Sequence, residues 1–60
     1  MGLIVNKLDL ILSSVVGITT VDADFLLEDN EFRKLLVGMG NKMTMSDAID
    51  RLVNYVNENY

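Results

Sequence analysis

Apolar residues recur at helical spacing along three stretches of this chain, and glycine-bearing segments separate them. At about 100° per residue, Ile4, Val5, Leu8, Ile11, Leu12, Val15 and Val16 share one broad face, with Asn6, Lys7, Asp9, Ser13 and Ser14 opposite. The spacing predicts a helix over 3–16, ended by Gly17, because glycine accepts the left-handed backbone of a helix terminus. Residues 17–21, rich in β-branched side chains, are expected to be irregular or briefly extended. Leu3 and Leu10 lie seven residues apart and fall together on the polar side, as a seam for a second helix would.

The second stretch covers 22–37. Asp22 or Asp24 suits its N-terminus, where a carboxylate meets free backbone amides and the positive end of the helix dipole. Phe25, Phe32, Leu35, Leu36 and Met39 form its stripe, and Leu26, Leu27 and Val37 fall off it. Glu28-Asp29-Asn30 leaves two readings open, one continuous helix or two short ones with Asp29 or Asn30 capping the second. Residues 38–42, with Gly38, Gly40 and Asn41, are expected to form a loop. The third stretch is the clearest. Thr44 or Ser46 caps a helix over 46–59, with Ala48, Ile49, Leu52, Val53, Tyr55 and Val56 on one face and charged or amide side chains on the other.

The expected fold is therefore all-α: a single small domain over 1–60, a bundle of three helices or four short ones. Its expected core is Ile4, Leu8, Ile11, Val15, Phe25, Phe32, Leu35, Leu36, Ile49, Leu52, Val53 and Val56. Half of the 60 residues are hydrophobic, more than so small a core needs. There is no Cys or His, hence no disulfide and no ordinary zinc site to hold the fold. The remaining staples are unusually good helix packing and oligomerisation, and the hydrophobic surplus favours oligomerisation or a bound partner. Met39, Met43 and Met45 are assigned to irregular gaps of the core.

Charge narrows the choice of partner. Five basic residues stand against nine acidic ones, for a net charge of −4, and the basic ones are scattered. Direct nucleic-acid binding and adhesion to an anionic membrane are both disfavoured. No apolar run is long enough to cross a bilayer, and no leader pattern is complete, so a cytoplasmic protein is expected. No cofactor is expected.

Catalytic and metal-binding patterns fail on their own terms. The serines Ser13, Ser14 and Ser46 have no His or Cys to activate them. Asp22 and Asp24 open like a calcium loop, but Leu26 and Leu27 stand where a ligand and a turn glycine are required. Gly38 and Gly40 lack the rest of a phosphate-binding loop.

Two short strings resemble acyl carrier proteins: Asp22-Ala23-Asp24-Phe25 followed by Glu28-Asp29, and Thr44 followed by Asp47-Ala48-Ile49-Asp50. The resemblance implies a carrier-like helical module. Asn30-Glu31-Phe32 replaces the attachment serine, however, and the interval is too short for that family's long second helix, so carrier activity is not implied.

The leading expectation is a non-enzymatic acidic protein that binds, and thereby inhibits or regulates, another protein, as a phage-type inhibitor does. A self-assembling structural oligomer is one alternative, and an acyl-carrier-like module lacking the attachment serine is another. The candidate contact residues are the apolar surplus (Leu3, Leu10, Leu26, Leu27 and Val37), the acids Asp22, Asp24, Glu28 and Asp29, and Tyr60.

Overall fold

The computed structural model describes residues 6–60. Leu3 and Ile4, assigned above to a seam and to the core, lie outside them. The described residues form four helices and no strand: α1 (Lys7–Thr19), α2 (Ala23–Leu27), α3 (Asn30–Lys42) and α4 (Met45–Asn59). The all-α reading holds, in its four-helix form.

Each boundary has a local cause. Asn6 opens α1, its side chain accepting from the Leu8 amide at 2.9 Å. The helix does not end at Gly17 as expected. It runs on to Thr19, and Thr20 takes the left-handed turn at φ 61°. That backbone crowds a β-branched residue. Two hydrogen bonds hold it there: the Thr20 amide donates to Val16 O at 2.8 Å, and its hydroxyl to Thr19 O at 2.6 Å.

The open question at Glu28-Asp29-Asn30 resolves to a break. Asp29 Oδ1 accepts from the amides of Glu31 (2.9 Å) and Phe32 (3.2 Å) and so starts α3. Thr44, not Ser46, caps α4, its hydroxyl accepting from the Asp47 amide at 3.3 Å.

Residues 38–42 are helical, which corrects the loop expected there. The reason lies in packing. A glycine inside a helix costs about 1 kcal/mol relative to alanine, a penalty that tertiary burial offsets. At Gly40 the missing side chain leaves room for Leu8, because a Cβ there would meet the end of the Leu8 side chain and force it to shift. The glycine thus lets α1 approach α3 closely. Lys7 closes the same end, its ammonium donating to Met43 O at 2.9 Å just past the last turn of α3.

The core is Ile11 and Val15 of α1, Leu26 of α2, Phe32 and Leu36 of α3, and Ala48, Leu52 and Val56 of α4. Leu8, Leu35, Ile49, Val53 and the three methionines Met39, Met43 and Met45 pack around it half-buried. Helix α4 lies against both α1 and α3, and α2 lies across α3 and touches α1.

Two expected positions change places. Leu26, assigned to the surface surplus, is fully buried, and Phe25, assigned to the core, is 61% exposed. One continuous helix would have put Phe25 seven residues behind Phe32 on the same face. The break at Asp29 resets the register, and α2 turns Leu26 inward instead.

Candidate docking surface

Phe25, the outward-turned aromatic, anchors the most distinctive surface of the molecule. Asp22 and Glu28 flank α2 at its two ends, with Phe25 between them, and Asp29 follows at the break before α3. Tyr60, just beyond the end of α4, meets Phe25 edge-on, with ring centroids 5.7 Å apart and planes at 80°. Such T-shaped pairs match the positive edge of one ring to the negative face of the other. Both rings stay open to solvent, Tyr60 being 49% exposed.

Asp29 ties this surface together. Its Oδ1 caps α3, and its Oδ2 accepts from the hydroxyls of Tyr60 (2.6 Å) and Tyr55 (2.7 Å). One carboxylate thus joins the α2–α3 junction to the last two turns of α4. Tyr55 also leans on the buried Phe32, with centroids 6.2 Å apart.

The network shifts three ionisations. The Tyr60 and Tyr55 hydroxyls, with smaller help from the Phe32 and Glu31 amides, hold the Asp29 carboxyl below its ordinary 3.8, against the opposing effect of burial. The Tyr55 phenol is pushed up to about 12, first by its hydrogen bond to Asp29, then by burial and nearby negative charge. Tyr60 is raised for the same leading reason.

The signs follow from linkage. A lowered Asp29 contributes stability that is full above pH 3.8 and is lost as pH falls through its folded value. A raised Tyr55 contributes stability that is full below pH 10 and is lost as pH rises through about 12. Ultraviolet titration of the folded protein should therefore show a phenol ionising near pH 12, returning to about 10 in denaturant. Asp29→Asn, which keeps a capping oxygen but no charge, should move that native midpoint down. An unmoved midpoint would refute the network.

No known family, curated protein or solved structure matches the chain. The site is therefore read from its own geometry. In the part of the chain that resembles acyl carrier proteins, α2 is five residues long.

The expected contact residues separate into groups. Asp22, Asp24, Glu28 and Tyr60 are exposed, Tyr60 against the Phe25 ring, and Asp29 is half-buried. Leu27 is 39% exposed but lies two residues from Phe25, on the other side of α2. Leu10, 42% exposed, lies on the outer side of α1 with Ile18, which the expected end at Gly17 had hidden. Val37, 48% exposed, stands on the outer face of α3. Leu26 is buried and leaves the set, and Leu3 lies outside the described residues.

The missed members are Phe25 and Ile18. The signal for Phe25 was the capping chemistry of Asp29-Asn30, which forces the register change. Nothing in the local sequence marks Ile18.

Among the described residues no cluster of carboxylates is placed to hold a metal, no polar or charged side chain is buried, and no helix is long and apolar enough to cross a membrane.

Proposed function

We propose that the protein works by binding another protein, and that Phe25 and Tyr60, rimmed by Asp22, Asp24 and Glu28, form the contact. The observation that carries this reading is a phenylalanine 61% exposed on α2, met edge-on by a tyrosine whose hydroxyl donates to Asp29. Aromatic side chains held this way offer large contact area with little ordering left to do on binding.

The rim selects the partner's chemistry. Three exposed acids beside two open rings suit a basic segment carrying arginine or lysine with apolar neighbours. An arginine can pair with Glu28 or Asp22 while its guanidinium stacks on a ring. Occupying a basic functional surface is how such a protein would inhibit or regulate its target. A cytoplasmic setting goes with this reading, since a small domain without Cys draws no stability from an oxidising compartment.

Calorimetric titration with a basic amphipathic peptide, Leu and Arg at helical spacing, is the test. Wild type should bind it, and Phe25→Asp should lose at least tenfold in affinity with helix content unchanged. Equal binding by the two proteins, or equal binding of a Glu-for-Arg control peptide, refutes the reading.

A further inference from the structure

We infer that this chain carries both halves of a head-to-tail contact: the acidic aromatic surface at the α2 end of one copy docks on the basic outer face of α3 of the next. The inference rests on the reading above and names a second copy as an occupant of that surface.

The α3 face is the chemical opposite of the first. Arg33, Lys34 and Val37 are exposed there, and together with Asn30 and Gly38 they line a shallow depression. Gly38 leaves this stretch of the face open: a Cβ added there would meet nothing within 4 Å. With no side chain at Gly38, the exposed Val37 beside it is left accessible to an incoming aromatic ring. Arg33 is steadied on this face by donating to the Asn30 side chain. The first surface offers an aromatic knob with an acidic rim, and this one an apolar depression with a basic rim.

Charge also disfavours the symmetric arrangement. Two copies meeting through their Phe25 surfaces would set Asp22, Asp24 and Glu28 against their own equivalents, in a chain already at −4. Pairing with the α3 face turns that repulsion into attraction. Because the two surfaces differ, the contact is heterologous, and copies add in open chains unless the rotation closes a ring.

Two variants with exposed substitutions separate the halves. Phe25→Asp removes the knob, and Lys34→Glu with Val37→Asp removes the apolar, basic character of the depression. Sedimentation over a concentration series at low salt should show wild type growing past the dimer. Each variant alone should stay monomeric, and an equimolar mixture of the two should form a dimer that grows no further. About 0.5 M salt should weaken the association at least tenfold, since screening acts at roughly 4–5 Å there. Circular dichroism confirms that both variants are folded.

A mixture that fails to pair while wild type associates overturns the inference, as does association in both variants alone, which points to the uncharged Leu10–Ile18 side of α1. Wild type that stays monomeric yet binds the basic peptide overturns self-pairing only. If Phe25→Asp both associates and binds peptide like wild type, self-pairing and the docking reading fall together.

Discussion

Phe32→Ala should unfold most of the protein, whereas Phe25→Ala should leave it folded. Phe32 is fully buried among all four helices' core residues, and truncating such a ring costs about 3–5 kcal/mol in transfer and cavity terms. At about 0.05–0.15 kcal/mol per residue, a chain of this length holds roughly 3–9 kcal/mol. The loss is therefore comparable to the whole stability. Phe25 is 61% exposed, and its removal should cost within about 1 kcal/mol. The contrast matters because the two residues are seven apart. On one continuous helix they would share a face and be equally damaging. Denaturant melts of both variants decide the matter: similar losses would contradict the break at Asp29.

The second large effect sits one helix earlier. Leu26→Lys should abolish folding, and Leu27→Lys should be tolerated. A lysine at 26 would place an ammonium in a site now wholly apolar, at a cost of several kcal/mol with no partner to offset it. At 27 the side chain is already 39% exposed, and a cation at the C-terminal end of α2 interacts favourably with the helix dipole. Helix content by circular dichroism measures both. Equal tolerance at the two positions would mean that α2 is turned differently.

These adjacent leucines show how far the sequence could be read. The 3.6-residue periodicity was strong in α4, and there the apolar face over Ala48–Val56 was read correctly, with Thr44 among its two possible caps. It was strong enough in α1 to find Ile11 and Val15. It failed in α2, which is five residues long and too short for a period to be established. Once the register of so short a helix depends on its neighbour, only the tertiary contact of Leu26 settles which side is inner.

The glycines misled for a related reason. Propensity favours a loop at Gly38-Met39-Gly40, but the approach of Leu8 to Gly40 is a contact between residues far apart in sequence. Burial of Leu36 and Gly40 on the inner face then carries the helix through.

The candidate site was half legible. Asp22, Asp24, Glu28 and Tyr60 were read as contact residues from charge and amphipathic chemistry. The role of Asp29 was not, because its two tyrosine bonds span 26 and 31 residues. Phe25 was assigned to the core because it was placed on one stripe with Phe32, and that stripe exists only if the helix runs unbroken past Asp29. The surplus of apolar side chains persists in altered membership: Leu10, Ile18, Phe25, Leu27, Val37 and Tyr60 remain exposed.

The most direct measurement is chemical-shift mapping of the labelled protein titrated with the basic amphipathic peptide. Shifts concentrated at Phe25, Glu28, Asp29 and Tyr60, and weakened by added salt, are the predicted result. Shifts confined to the Leu10–Ile18 side of α1, or none at all, would contradict a docking role for the acidic aromatic surface.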